Sequence, residues 1–411
     1  MNFCEAFDYM KNSNQVIIAN TYNGMNLKLS SECFEIIQYG VDNKLTVGQL
    51  IECLEDEGDR EYFKRLLLYA YDGNILVDDD YTEKSAIDIQ ITNRCNLKCR
   101  HCCVDASGCS GNEVLSTNEW KEIFDKINKN PSAITISGGE PMVRKDFLEL
   151  SEHLRSVTEA SLLLSTNGTL ITSENVKKIC DLYDDFSISL DGVDEESVSA
   201  IRGKCVFDKV IKSIKLIKNA DPEKNISLSM VMSSSNCENE QRFIDLCNEL
   251  EVKPIVRNYD LLGRAKENID LIPSEKMITA DRKILIPEDG HFYPDKMNVC
   301  TSCRAGRRRM AINYDGKIYP CITLIKDEFC MGDIHNINSL KDYINNGLAL
   351  ESEGLQYFYN NYKNSTCNDC KSCIVKLFCQ NCQLYSYLMK KADNYKEMCH
   401  ITKKELSIIW N

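Results

Sequence analysis

The sequence has no long apolar run. Stretches such as Leu66-Leu-Leu-Tyr-Ala stop far short of the roughly 20 residues that a membrane-spanning helix needs. It also lacks the basic and then apolar opening of a secretory signal, since it begins Met1-Asn-Phe-Cys-Glu, so a cytoplasmic protein without membrane contact is expected. Positive charge is short. With 49 Lys and Arg against 62 Asp and Glu, the formal net charge of −13 excludes the broad basic field of a nucleic-acid surface and leaves small molecules or a basic peptide as partners. No repeat or low-complexity tract occurs in the 411 residues, which are 43% hydrophobic and 27% charged, enough for two or three domains around a large core.

Cysteine is in excess: 22 residues, crowded into two places. A disulfide scaffold is usually short and secreted, so clustered cysteines here point to metal sites. The scattered Cys4, Cys33, Cys53, Cys180, Cys205, Cys237 and Cys247 have apolar neighbours and are expected in cores.

Residues 1–80 form a first module. Strand-like Gln15–Asn20 and Met25–Ser30 flank the hairpin signal Asn23-Gly24. A helix is expected over Glu32–Tyr39, stopped by Gly40; a second is capped by Thr46 with Gln49 as a capping box; a third spans Tyr62–Tyr71. A hairpin with three helices suggests a winged-helix-like α+β domain whose strand edge could receive an extended peptide.

Residues 81–258 alternate strands and helices. Strands are expected at Ile87–Thr92, Ala133–Ser137, Leu162–Thr166, Phe186–Leu190, Ser227–Met232 and Pro254–Arg257, with helical patterns between them. Repeated βα units imply a parallel sheet, and six of them an α/β fold of the partial (β/α)6 barrel type, TIM-like but open. Chemistry in such sheets gathers beyond the C-terminal strand ends. There lie the cysteine loop after the first strand, Gly138-Gly-Glu-Pro after the second, Asn167-Gly168 after the third and Ser189-Leu-Asp-Gly after the fourth. Residues 259–299 are mixed in character and are taken as a bridge. Residues 300–411 form a cysteine-rich domain with ten cysteines between 300 and 399, among them the run Cys367-x2-Cys370-x2-Cys373-x5-Cys379-x2-Cys382, and a hairpin around Asp315-Gly316.

Cys95-x3-Cys99-x2-Cys102 places three thiolates close enough for one soft metal centre, whereas zinc or a four-iron cluster usually takes four ligands. His101, Cys103 and Cys109 are nearby, but none completes a familiar zinc pattern. A cluster iron without a protein ligand could bind something else. A glycine pair alone reads as a tight turn; beside a cysteine triplet it can let backbone approach a small ligand.

Together, Cys95-x3-Cys99-x2-Cys102, Gly138-Gly-Glu-Pro and Ser189-Leu-Asp-Gly resemble the radical S-adenosylmethionine (SAM) enzymes. The resemblance implies a [4Fe-4S] cluster on Cys95, Cys99 and Cys102, its open iron chelating SAM's methionine, and reductive cleavage to a 5′-deoxyadenosyl radical that abstracts hydrogen. It places Gly138, Gly139 and Glu140 at the methionine end and Ser189 and Arg202 by the ribose and carboxylate. His101 stands where the family usually has an aromatic residue, near adenine. The C-terminal domain resembles the SPASM extension, through Gly316-x4-Cys321 and Cys370-x2-Cys373-x5-Cys379, although Cys382 follows after two residues rather than three. This implies two auxiliary [4Fe-4S] clusters: one on Cys321, Cys382 and Cys303, with or without Cys300, and one on Cys370, Cys373, Cys379 and Cys399. Arg304, Arg307, Arg308 and Arg309 read as charge balance beside these anionic clusters.

The first module resembles the RiPP recognition element, which binds the leader of ribosomally made peptides. The implied partners are a precursor peptide and an electron donor such as flavodoxin or ferredoxin. The related sulfatase maturases carry an aspartate where this chain has Ile322, so a peptide maturase forming a cysteine sulfur-to-carbon thioether is the expected function. Carbon–carbon crosslinking is the alternative; an iron–sulfur electron carrier or a zinc-binding adaptor are readings of a different class.

Overall fold

The computed structural model describes residues 1–21, 23–81, 85–106, 108, 113–127, 131–272, 305–306, 308–340, 343, 348–358, 372–379, 399–400, 403–404 and 406–410. They fall into two units: residues 1–81 with the described residues beyond 357, and residues 85–272 with 305–357.

In the first unit, short strands β1 (Asn2–Phe3) and β5 (Leu76–Val77) pair antiparallel around a three-stranded sheet of β2 (Phe7–Asn12), β3 (Gln15–Asn20) and β4 (Asn26–Ser30). Helices α1 (Ser31–Asp42), α2 (Val47–Glu52) and α3 (Glu57–Asp72) complete it. The sequence QVIIAN of β3 is apolar at successive positions because both faces are covered. Val16 and Ile18 are buried with Phe34, Leu50, Phe63 and Leu67 of the helices. Ile17 and Ala19 are buried with Val375, Phe378, Leu406, Ile409 and Trp410. The Trp410 indole N–H donates to the Ile374 carbonyl at 2.8 Å, and Lys376 pairs with Asp8 at 2.7 Å. The sheet is therefore a middle layer. Strand β2 escaped the sequence reading because FDYMKN, with Asp8, Lys11 and Asn12 among six residues, resembles a loop.

Helix α1 does not stop at Gly40 but continues to Asp42. A Cβ on Gly40 would stand 2.2 Å from the Met1 side chain and 2.9 Å from that of Leu50, so this glycine serves packing rather than termination. Thr46 and Gln49 form the expected capping box of α2, an arrangement typically worth about 1 kcal/mol. Among the scattered cysteines, Cys53 and Cys205 are exposed rather than in a core. Cys53 ends α2 beyond its buried Leu50 and Ile51, and Cys205 lies in a turn with φ of 60°.

The second unit is built on six parallel strands: β6 (Ala86–Gln90), β7 (Ala133–Ser137), β8 (Ser161–Thr166), β9 (Asp185–Ser189), β10 (Asn225–Val231) and β11 (Lys253–Arg257). Between them run α4 (Thr117–Ile127), α5 (Phe147–Val157), α6 (Val176–Leu182), α7 (Glu195–Arg202), α8 (Phe207–Ala220) and α9 (Glu240–Glu249). Strand boundaries match expectation within two residues; α7 is an addition, capped by Asp194 and Ser197. The sequences AITIS and DFSIS alternate in polarity, and SLLLST alternates in burial. One face carries buried Ile89, Ile136, Leu164, Ile188 and Leu228. On the other, the register sets Gln90 beside Ser137, Ser165 beside Ser187, and Ser189 beside Ser229. A parallel sheet covered by helices on both sides would be apolar throughout, so this polar face marks the inner wall of a partial barrel.

Beyond β6 the sheet continues with β12 (Arg309–Ile312), parallel to β6, and antiparallel β13 (Lys317–Tyr319) and β14 (Gly332–Asp333). The hairpin expected around Asp315-Gly316 thus joins the barrel sheet. Arg309 donates two hydrogen bonds to the buried Asp88 carboxylate, at 2.7 and 2.9 Å, which ties the two strands.

Candidate functional site

After β6 the backbone crosses to the β7 end. Ile91 N–H donates to the Ser137 carbonyl, Gly139 N–H to that of Thr92 and Glu140 N–H to that of Arg94, all within 3.0 Å. A Cβ on Gly138, whose φ is +147°, would stand 2.3 Å from the Thr92 oxygen, and one on Gly139 2.3 Å from the Arg94 oxygen. The glycine pair therefore lets the two loops zip together, and this sets the cysteine loop over the strand ends.

Cys95 and Cys99 are buried and Cys102 half-buried. Each sulfur has a donor. Leu97 N–H lies 3.3 Å and the Asn167 amide 3.9 Å from Cys95, the Arg202 guanidinium 3.9 Å from Cys99, and Ala106 N–H 3.4 Å from Cys102. Burial pushes the Cys95 thiol up to about 11, with Glu140, Cys99 and Cys102 adding to the rise against the opposing Leu97 N–H. Burial likewise raises Cys99. Buried thiols that discourage one another's ionisation are stable as thiolates only beside a cation, so the donor set fits an iron centre. Among the described residues, no three His, Cys, Asp or Glu converge as ligands of one ion.

Glu140 is fully buried. Its carboxylate accepts from Thr166 Oγ1 at 2.8 Å, Asn167 N–H at 2.7 Å and Met142 N–H at 3.2 Å. Burial still dominates these hydrogen bonds and lifts its pKa to about 7. A cationic amino group is the complement such a carboxylate lacks.

Asp191, in the loop after β9, is also fully buried. Its Oδ2 faces Arg202 Nε at 2.6 Å and His101 Nε2 at 2.8 Å, while Oδ1 accepts from Val231 N–H at 2.7 Å. Burial alone would raise its pKa, but Arg202 and His101 reverse this and hold it well below the carboxylate range. His101 Nδ1 is buried without a partner, as a residue meant for a ligand would be. Ser189 ends β9 on the polar face, half-buried.

Part of the bridge proves to be a brace for the cysteine loop. Arg264 donates from Nε to the Cys99 carbonyl, from Nη1 to Asp105 and the Ala106 carbonyl, and from its backbone to the Cys102 carbonyl, at 2.7–3.1 Å. Asn268 exchanges hydrogen bonds with Arg100. Asp191, Asn167 and Arg264 were not among the predicted site residues. The first two sit within motifs already marked, whereas nothing local distinguishes Arg264.

Of the predicted auxiliary ligands, Cys321 lies two residues past β13, half-buried, its sulfur 3.3 Å from Thr323 Oγ1. Because β13 runs antiparallel to β6, this places Cys321 level with the start of β6, at the opposite end from the cysteine loop. Cys373 and Cys379 flank the segment that packs on β3, and Cys399 is exposed. Cys300, Cys303, Cys370 and Cys382 lie outside the described residues, as do Arg304 and Arg307. Among the described residues, no helix is long and apolar enough to cross a membrane.

Residues 89–247 match the family model of the radical SAM superfamily, and residues 303–374 match SPASM, an iron-sulfur cluster-binding domain. Mycofactocin maturase MftC of Mycolicibacterium smegmatis is 30% identical over 261 residues, 60% of this chain and 66% of that protein. Fe-coproporphyrin III synthase of Methanosarcina barkeri is 31% identical over 194 residues, 46% of this chain and 47% of that one. The chain thus spans just under two thirds of the length of the first of these relatives and about half of the second. In fold it is similar to Streptococcus suis SuiB bound to S-adenosylmethionine, with a TM-score of 0.55 at 17% identity over 96% of this chain and 97% of SuiB. SuiB bound to its precursor peptide SuiA gives 0.53 at 17% identity over 95% and 97%. Residues 89–247, which hold the cysteine loop and the glycine pair, thus match a radical SAM domain, which implies SAM and a four-iron cluster as cofactors, and residues 303–374 match a SPASM domain, which implies auxiliary iron–sulfur clusters.

Proposed function

We propose that this chain is a radical SAM peptide maturase that installs an intramolecular cysteine sulfur-to-carbon thioether in a ribosomally made precursor. Cys95, Cys99 and Cys102 hold the radical-site cluster. Gly138, Gly139 and Glu140 face the methionine end of SAM, and Ser189, Arg202 and His101 its ribose, carboxylate and adenine. Cys321, Cys382 and Cys303, with or without Cys300, serve one auxiliary cluster, and Cys370, Cys373, Cys379 and Cys399 the other. When bound, these groups supply a 5′-deoxyadenosyl radical and an acceptor for the surplus electron, which a flavodoxin or ferredoxin would exchange. The chain's own part is to bury Glu140 as the counter-charge to an amino group, to keep Arg202 on Cys99, and to offer a serine-lined wall to a polar substrate.

The observation that carries a peptide substrate is the N-terminal module. Strand β4 is an edge of its sheet, and Met25, just before it, lies close to Gly73, which caps the end of α3. Helix α3 exposes Tyr62, Leu68 and Tyr69. A module with an open edge strand and exposed apolar side chains suits an extended leader added as a fourth strand. Binding the leader there would raise the effective concentration of the core segment at the radical site. SuiB, similar in fold across the same module, is described bound to a precursor peptide, and MftC is a maturase.

The test pairs the reconstituted protein, under dithionite, with the product of a short cysteine-containing reading frame beside its gene. Thioether formation predicts 5′-deoxyadenosine, a peptide lighter by two hydrogens, and a substrate cysteine that no longer alkylates. A peptide of that mass whose cysteine still alkylates supports carbon–carbon crosslinking instead. Zinc without SAM cleavage would contradict both. Leu68→Asp should weaken precursor binding while leaving uncoupled SAM cleavage intact.

A further inference from the structure

We propose that Asp191 is a positioning residue that sets the charge felt by the radical-site cluster, by holding the Arg202 guanidinium against the Cys99 sulfur. The proposal rests on the reading that Cys99 ligates that cluster. Three elements meet at this one carboxylate: the loop after β9, the end of α7 and the cysteine loop. Oδ2 is shared between Arg202 Nε at 2.6 Å and His101 Nε2 at 2.8 Å. Oδ1 is engaged by Val231 N–H, at the end of β10, and the Asp191 carbonyl accepts from the Asn236 amide at 3.2 Å. The side chain is thus anchored from the sheet side and aimed at its two partners. Arg202, only 8% exposed, then reaches Cys99 Sγ with Nη1 at 3.9 Å.

A pair that served stability alone would not need its cation on a ligand sulfur. In a site this dry, neighbouring charges act strongly, and donors on cluster sulfurs are among the groups that tune a cluster's potential. With both charges present, the cluster sees a neutral pair whose positive end faces the sulfur. Removing the carboxylate charge leaves an uncompensated cation, which favours the reduced cluster. Removing the guanidinium leaves an uncompensated anion, which disfavours it. The two substitutions should therefore move the potential in opposite directions, and their combination should restore it.

The experiment is an electron-paramagnetic-resonance redox titration of the full-length, anaerobically reconstituted protein. The radical-site signal is identified by its change on adding SAM and by its loss in Cys99→Ala. Asp191→Asn should favour reduction about tenfold, which is about 59 mV for a one-electron couple, and Arg202→Gln should disfavour it by a similar factor. The double variant should return to within about threefold of the starting equilibrium. Shifts of the same sign, or none, with radical-site iron retained would overturn the proposal. Should Asp191→Asn fail to load iron, Arg202→Lys is compared with Arg202→Gln. Lysine keeps the charge and should hold the original potential, and equal potentials in the two variants would overturn the assignment. A SAM-sensitive signal that survives Cys99→Ala would instead remove the ligand reading beneath it.

Discussion

A Cβ on Gly263 would stand 2.4 Å from the carbonyl oxygen of Cys102 and 2.7 Å from that of Cys103. The residue has φ of +53°, so a side chain there meets both backbone strain and a backbone clash. Gly263→Ala should cost at least about 1 kcal/mol and displace the loop that carries Cys99 and Cys102. Iron per chain after reconstitution should fall by close to the content of one cluster, with the auxiliary clusters kept. Full iron occupancy in this variant would show that the brace is dispensable.

Glu140 links stability to pH. Its pKa rises from an ordinary 4.5 to about 7 on folding, chiefly through burial. The folded state then binds the proton more tightly than the unfolded chain. The associated stability is complete below about pH 4.5 and is lost as pH climbs to 7. The difference of roughly 2.5 pH units corresponds to about 3 kcal/mol as an order of magnitude. Thermal unfolding of the cluster-free protein should show this decline between pH 5 and about 7, and Glu140→Gln should flatten it. An unchanged slope in that variant would assign the pH dependence elsewhere.

Asp88 is buried and receives both of its hydrogen bonds from the half-exposed Arg309. Arg309→Ala strands this carboxylate and should cost about 1–3 kcal/mol in urea unfolding. Asp88→Ala leaves only a partly solvated guanidinium and should cost less. A double-mutant cycle that shows no coupling would mean that backbone pairing alone holds β12 on β6.

Trp410 covers the second face of the N-terminal sheet. Trp410→Ala removes a buried ring and the bond to the Ile374 carbonyl, a change that typically costs about 3–5 kcal/mol. Hydrogen exchange should accelerate in β3 while β6 keeps its protection. Equal loss in both strands would argue against a unit built from the two ends of the chain.

How much was legible follows from the range of the forces. The six parallel strands could be read because their alternation is local, and Cys95, Cys99, Cys102 and Gly138-Gly-Glu140 could be marked because they are short motifs. Gly40 misled: its neighbours in sequence look like a helix end, but Met1 and Leu50 decide its role from far along the chain. Arg264 was invisible for the same reason, since its partners lie more than 150 residues earlier.

The sequence by itself determined the chemistry. Three cysteines within eight residues, a glycine pair at a strand end and a second cysteine field need no tertiary information to resemble the radical SAM enzymes, and it is that resemblance that implies iron, sulfur and SAM. Only the tertiary structure decided how that chemistry is held. It showed Asp191 gathering Arg202 and His101 beside Cys99, Gly263 and Arg264 carrying the loop, and the C-terminal segment backing the N-terminal sheet. Burial and charge pairing act through space, so a contact between distant residues leaves little trace in the local pattern of either one.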